Sequence, residues 1–246
     1  MLSAKNLSIG YAGASLVDGV DFALGAGDVL AVVGHNGSGK TTFIKTLLGL
    51  IPPIQGVVDG ADAGNIAYLG QLTDFDRRFP VRVRDLAAMG AWQGFGWRGA
   101  FNKARQRTVD GALERAGIAD IAFAPLHELS SGQLQRALFA RTIVQDAPII
   151  LLDEPFAAVD QKTEAALLAL IDEWAASGRA IVLVLHDLSA VLQHCTKALL
   201  LGQSIARFGE PTQVLTPLNL VDQGYLSESQ SRWFRDMYRP RGDAHV

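Results

Sequence analysis

Among its 246 residues the sequence has a single cysteine, Cys195. No intrachain disulfide can form, and such sparse usage suits a reducing compartment. Long apolar runs are missing too. The longest, "VLAVVG" and "PIILLD", are strand-sized, far below the roughly 20 consecutive apolar residues that span a bilayer. Any link to a membrane is therefore expected to run through a partner. The opening "MLSAKNLSIGYAG" has no charged segment followed by an apolar one, so no signal peptide is expected. Excess positive charge is absent as well: 22 Lys and Arg stand against 25 Asp and Glu, a net charge of −3. That argues against nucleic acid as a partner. Internal repeats and low-complexity segments are also lacking. What remains, with 49% hydrophobic and 19% charged residues, is a folded chain. It is long enough for one large domain or for a core carrying an inserted subdomain.

What is present alternates between strand and helix patterns. "LSAKNLSI" and "VDFAL" alternate as strands of a half-exposed antiparallel sheet, with Tyr11 in the loop between them. "VLAVV", "IAYLG", "PIILLDE" and "AIVLVLH" read as buried strands. "KTTFIKTLLGL" predicts a helix with Phe43, Leu47 and Leu50 on one stripe and Pro52 beyond its end. From about residue 74 to 146 the pattern turns helical, in "VRDLAAMG", "FNKARQRTVDGALERAG" and "SGQLQRALFARTIV", which predicts a helical insert. "TEAALLALIDEWAASG" is amphipathic, with Leu167, Leu170, Ile171 and Trp174 on one face, and "DLSAVLQHC" is a further helix. Strand–helix alternation on both sides of the insert predicts an α/β core with a mostly parallel sheet.

Between the strand "VLAVV" and its following helix lies Gly34-His35-Asn36-Gly37-Ser38-Gly39-Lys40-Thr41, which fits G-x-x-x-x-G-K-[ST]. Glycines let a backbone curl so that several N–H groups converge on phosphate oxygens, and a helix beginning there favours anions. Lys40 can reach the β- and γ-phosphates, and the Thr41 hydroxyl can ligate Mg²⁺. The expected nucleotide contacts are Gly34, Asn36, Gly37, Ser38, Gly39, Lys40, Thr41 and Thr42.

Downstream, "IILLDEP" puts Asp153 and Glu154 at the C-terminal end of a buried strand, the end at which open α/β sheets bind ligands. Asp153 suits Mg²⁺, and Glu154 suits a general base acting on water. The plainer alternative is an acidic turn that ends a strand. "LSSGQLQRALFAR" opens a helix with Ser130 or Ser131 as its cap, and Ser-Ser-Gly at a helix start is also an anion site. One nucleotide has no need of two such sites in one chain; two chains placed head to tail would use both.

These motifs, in this order, resemble the nucleotide-binding subunit of an ABC transporter over about residues 1–215, with residues 216–246 left as a C-terminal tail. The resemblance implies a P-loop NTPase fold. It has a RecA-like, mostly parallel sheet, an N-terminal antiparallel β subdomain and a helical subdomain inserted at about 74–146. It implies adenine stacking for Tyr11, and a Q-loop role for Gln71 as Mg²⁺ and water sensor. Ser130, Ser131, Gly132 and Gln133 become the signature that meets ATP held by a second copy. Glu154 becomes the catalytic glutamate, Asp160 the D-loop residue and His186 the switch histidine. Taken singly, a tyrosine, glutamine or histidine at these places has local uses: packing, a polar cap, a bond nearby. His35, His127 and His194 have no place in the motif order and read as structural. The signature departs from its commonest form, Leu-Ser-Gly-Gly-Gln, because Ser131 replaces a glycine. Activity is still expected, since a small hydroxyl residue can donate a hydrogen bond.

"LGQLTDFDRRFPVRVRDLAAMGAW" is similar to the segment after the Q-loop in zinc and manganese importers, through Phe79, Pro80, Val81, Val83, Asp85, Met89 and Gly90. What this implies is an ATPase homodimer, with Mg-ATP, on the cytoplasmic face of a bacterial inner membrane. It would lie under an integral permease fed by a periplasmic or lipoprotein binding protein. Zinc stands slightly ahead of manganese as cargo. Siderophore or cobalamin import, and a soluble ATPase of iron–sulfur assembly, are the alternatives. No Asn-Lys-x-Asp motif points to a GTPase, and no room exists for the long coiled-coil insertions of DNA-repair relatives. "AWQGFGWRGAF", with Trp92, Phe95, Trp97 and Phe101 between Gly94, Gly96 and Gly99, reads as a folded apolar loop or a permease-facing patch. In the tail, "SRWFRDMYRPRG" pairs Trp233 with Met237 and Phe234 with Tyr238 at helical spacing, beside four arginines. It reads as a helix packed on its own domain, with a dimer contact or contact with anionic lipid headgroups as the alternatives.

Overall fold

The computed structural model describes residues 1–227 except 12, 63, 95–101 and 203–205. Most of the aromatic loop expected after Met89, and the tail helix with its four arginines, lie outside the described residues. The chain divides into two compact units, and elements are numbered along the chain.

One unit comprises Leu2–Leu24, Leu30–Asp59 and the chain from Leu185 onward. Its first sheet has the order β2-β1-β4, from β1 (Leu2–Tyr11), β2 (Ala14–Leu24) and β4 (Gln55–Asp59), all antiparallel. Val20, Phe22 and Leu24 alternate inward along β2, as period-2 patterning requires. β3 (Val29–Gly34) is buried throughout and runs parallel to β8 (Lys197–Leu201), which pairs antiparallel with β9 (Arg207–Gly209). Phe22 packs edge-on against Phe43 of α1 (Lys40–Leu47), with ring centroids 5.7 Å apart. Helices α6 (Leu188–His194), α7 (Pro211–Val214) and α8 (Pro217–Asp222) complete this unit.

The structure corrects two expectations here. Helix α1 stops at Leu47, and Gly49 takes a left-handed φ of 69°, so Leu50 leaves the apolar stripe and is 67% exposed. Tyr11 is no loop residue: it ends β1, paired with Ala14.

The other unit comprises Gly25–Val29 and Gly60–Val184, with Met1. Strands β5 (Ile66–Leu69), β6 (Ile149–Asp153) and β7 (Ala180–Val184) run parallel in that order; β6 and β7 are fully buried. Helices α2 (Val83–Ala88), α3 (Lys103–Arg115) and α4 (Ser131–Gln145) pack on one another. The start of α3 is capped by Asn102, whose side chain accepts from Arg105 N. Helix α4 also ties to β5: Arg141 Nη2 donates to Tyr68 O and Gln145 Nε2 to Ile66 O, each at 2.7 Å. Helix α5 (Gln161–Ala176) buries Leu167, Leu170, Ile171 and Trp174, the face its sequence marks out. Trp174 stacks on Phe139 of α4, centroids 6.3 Å apart. Phe139 is fully buried. Phe139→Ala is expected to destabilise the protein by about 3–5 kcal/mol through lost burial and the cavity left behind. Denaturant unfolding checks this as a lower midpoint at unchanged slope.

Candidate functional site

In the first unit, β3 ends at Gly34 and α1 begins at Lys40, so the glycine loop links a buried strand to a helix start. Gly39 holds φ at 95°, a left-handed conformation that other residues adopt only with strain. A Cβ at Gly34 would lie 2.3 Å from Ser38 Oγ and 2.5 Å from Leu201 O. Lys40 folds back over this loop, 6% exposed, and its Nζ donates to Gly34 O (2.8 Å) and His35 O (3.0 Å). The ammonium is thus held over the curled backbone. Ser38 Oγ is buried and has no hydrogen-bond partner among the described residues. An orphaned donor, a fixed cation and a helix start in one loop fit a polyphosphate.

Tyr11 is 53% exposed, and its hydroxyl accepts from Thr42 Oγ1 at 3.4 Å, which sets an aromatic face beside the first turn of α1. Thr41, the second residue of α1, is half-buried, while Asn36 is exposed. Leu185 N donates to Val32 O at 3.4 Å and lays the next residue, exposed His186, alongside the strand that leads into the loop. Tyr225 Oη donates to His186 O at 2.7 Å, so the segment after α8 holds the histidine backbone. Burial, then the charge of Asp187, raise the Tyr225 pKa and keep this donor protonated.

In the second unit, fully buried Asp153 ends β6. Glu154 follows at φ 53°, a left-handed conformation that costs a non-glycine residue on the order of 1–2 kcal/mol. Strain of this kind persists where surrounding structure enforces it. Here Gln135 Nε2, from inside α4, donates to Pro155 O at 2.6 Å. Ala157 N also closes a turn onto Glu154 O at 3.2 Å. Asp160 caps α5 by accepting from Thr163 N (2.9 Å) and Thr163 Oγ1 (2.8 Å). The backbone bond from Thr163, then its hydroxyl, hold the Asp160 pKa below the usual carboxylate value. Gln71 lies two residues beyond β5, and the register Leu69↔Leu152 places it at the same strand edge as Asp153.

At the start of α4, Ser130 Oγ accepts from Gln133 N (3.2 Å) and Gln133 Oε1 accepts from Ser130 N (2.8 Å), a reciprocal capping box. Gly132 packs close to the loop before Asp160: a Cβ there would sit 3.0 Å from Ala158 O. Sequence reasoning finds the motif residues in each unit but misses Gln135, Tyr225 and Arg77. Arg77 donates to Ser131 Oγ at 2.7 Å and to Leu129 O at 3.2 Å. None of the three belongs to a spaced motif, and each finds its partner at long range.

Each unit by itself offers hard oxygen atoms of the kind Mg²⁺ takes: the Thr41 hydroxyl in the first, the Gln71 amide and the Asp153 carboxylate in the second. Among the described residues no three His, Cys, Asp or Glu side chains cluster as a metal site. Mg²⁺ rarely asks for one, because it keeps waters and shares one or two protein oxygens with substrate phosphates.

Residues 17–157 match the sequence profile of the ABC transporter family, which spans the glycine loop, the serine-capped start of α4 and the turn after β6. The chain belongs to the ABC transporter family. It is 33% identical over 221 residues to the manganese transport system ATP-binding protein MntB of Listeria monocytogenes, covering 87% of this chain and 92% of that one. It is 32% identical over 251 residues to the zinc transport system ATP-binding protein TroB of Treponema pallidum, covering 98% and 91%. Among solved structures, an inward-facing ABC transporter of metal-chelate type is similar at a TM-score of 0.82 and 31% identity, over 92% of this chain and 89% of that one. The α/β fold with a mostly parallel sheet and a separate antiparallel sheet is that of an ABC ATPase, and the protein is an ATP-binding and ATP-hydrolysing transporter subunit. Among the described residues no helix is long and apolar enough to cross a membrane.

Proposed function

We propose that two copies of this ABC ATPase work head to tail beneath a membrane permease and power the import of zinc or manganese. The observation that carries the dimer is the presence of two preformed anion-receiving helix starts in one chain, α1 behind the glycine loop and α4 behind the Ser130 cap. Each ATP takes the first from one copy and the second from the other. Residues 1–215 serve as the ATPase domain, with a helical subdomain at about 74–146, and 216–246 as a tail.

Within each site the roles follow from chemistry. Lys40 and the loop amides hold the β- and γ-phosphates, and the Tyr11 ring stacks on adenine. Thr41, Gln71 and Asp153 hold Mg²⁺, which when bound neutralises charge that develops between the β- and γ-phosphates. Glu154 takes a proton from the attacking water, and His186 donates to the γ-phosphate. Ser130, Ser131, Gly132 and Gln133 meet that phosphate from the other copy, and Asp160 shapes the adjoining loop. The cargo reading rests on the named transport systems of the relatives and on the Phe79-Pro80-Val81 segment, where Phe79 is 53% exposed. The permease would dock there from the membrane, with this chain on the cytoplasmic face and a periplasmic or lipoprotein binder delivering metal. Siderophore or cobalamin import remains the second cargo reading, supported by likeness to a metal-chelate type transporter.

The dimer makes its own prediction. ATP hydrolysis by the purified chain is expected to rise more steeply than linearly with protein concentration until the dimer saturates. Specific activity independent of concentration down to monomeric dilution would contradict the shared site.

A further inference from the structure

Ser131 stands where the commonest signature has glycine, and its hydroxyl is engaged. Arg77 Nη2 donates to Ser131 Oγ at 2.7 Å, and Nη1 to Leu129 O at 3.2 Å. The two acceptors flank Ser130, whose own side chain is held by the capping box with Gln133. One planar, two-pronged donor therefore holds the signature on both sides of its cap, by the Leu129 carbonyl and the Ser131 hydroxyl. Arg77 comes from the segment after Gln71, 54 residues away from Ser131. Asp76, the carboxylate next to it in sequence, pairs with Arg78 instead, accepting from the Arg78 backbone N (3.0 Å) and Nε (3.0 Å). Among the described residues no ion pair involves Arg77. A guanidinium has five N–H donors, and both bonds described here go to neutral oxygens, so its full positive charge stays beside the start of α4.

We propose that Arg77 is a positioning residue for the signature. It acts through Ser131 and Leu129 to hold the start of α4 in the form that receives the γ-phosphate of a second copy, and it ties that start to the segment after Gln71. This rests on the head-to-tail reading above. A preformed donor set pays no ordering entropy when the phosphate arrives, so the bond matters most in the closed dimer. The serine at 131 is then a matched partner of Arg77 rather than a blemish in the motif. On the head-to-tail reading, nucleotide binding to the glycine loop of a single copy does not call on Arg77.

The test uses the full chain with Arg77→Ala, Arg77→Lys, Ser131→Gly and the Arg77→Ala/Ser131→Gly double variant. Two readouts are needed: steady-state ATP hydrolysis, and amide hydrogen exchange over residues 129–134. Arg77→Ala is expected to speed exchange in that stretch and to lower kcat about tenfold, with ADP affinity and melting temperature unchanged. Ser131→Gly is expected to lose less, since the Leu129 bond remains. The double variant should lose less than the sum of the two single losses, because one bond is shared by both side chains. Arg77→Lys should recover part of the rate, one prong replacing two. Wild-type exchange over 129–134 in Arg77→Ala, a wild-type kcat, or fully additive losses would each overturn the proposal. A wild-type chain whose specific activity ignores its concentration would instead sink the head-to-tail reading, and the exchange readout tells the two failures apart.

Discussion

Glu154→Gln is expected to lower ATP turnover by ~10²–10⁴-fold, the range that a positioned general base contributes. Glutamine has the shape of glutamate and keeps a carbonyl oxygen to accept a hydrogen bond from water, but it cannot take up the proton that water must lose. The change spares two bonds that hold the backbone here. Glu154 gets its left-handed backbone from the Gln135 bond to Pro155 O and from the turn that Ala157 closes, neither of which uses the carboxylate. On the general-base reading the change also removes a negative charge that would repel the γ-phosphate, so ATP should stay bound. The variant should accumulate as an ATP-loaded dimer. Single-turnover hydrolysis together with light scattering in ATP checks both halves. Turnover at the wild-type rate would take the general-base role away from Glu154.

Lys40→Ala is expected to weaken ATP binding about 10- to 100-fold, corresponding to the ~1.5–3 kcal/mol of a hydrogen bond to a charged group. Two losses combine. The cation that faces the phosphates goes. So do the bonds from Nζ to Gly34 O and His35 O, which hold the loop curled before nucleotide arrives. Lys40→Arg is expected to fail as well, since a planar fork does not fit a space built for a compact ammonium that is only 6% exposed. Titration with a fluorescent ATP analogue measures the effect. Unchanged affinity in Lys40→Ala would remove the residue from phosphate binding.

Most of the core could be read from the sequence because its strands are buried runs. β3, β6 and β7 are apolar at nearly every position, and nothing polar interrupts the signal. The strand β4 escaped for the opposite reason. Gln55–Asp59 alternates exposed and half-buried residues, with Val57 on the surface, and is a strand because β1 pairs with it. β8 is a short apolar run directly after a helix, where periodicity alone does not distinguish strand from helix. Leu50 was misplaced because periodicity continues past the glycine that ends α1.

The site divides in the same way. Phosphate chemistry demands glycine, lysine and hydroxyl residues at fixed spacing, so the loop from Gly34 to Thr42 announces itself. The residues that hold such groups in place obey no spacing. Arg77, Gln135 and Tyr225 reach partners 54 or 52, 20 and 39 positions away, and only the folded chain shows them. Cargo selectivity is further out of reach, because in a transporter of this construction the metal need never touch the ATPase.

The claim that binds these parts together is that hydrolysis at Glu154 drives metal into a cell. It is tested most directly by replacing the native copy with the Glu154→Gln form, growing cells under metal limitation, and measuring zinc, manganese and iron by elemental analysis. A selective fall in zinc or manganese is predicted, and the metal that falls is the cargo. Unchanged zinc and manganese would contradict the account and turn attention to organic chelates or to an ATPase that serves no permease.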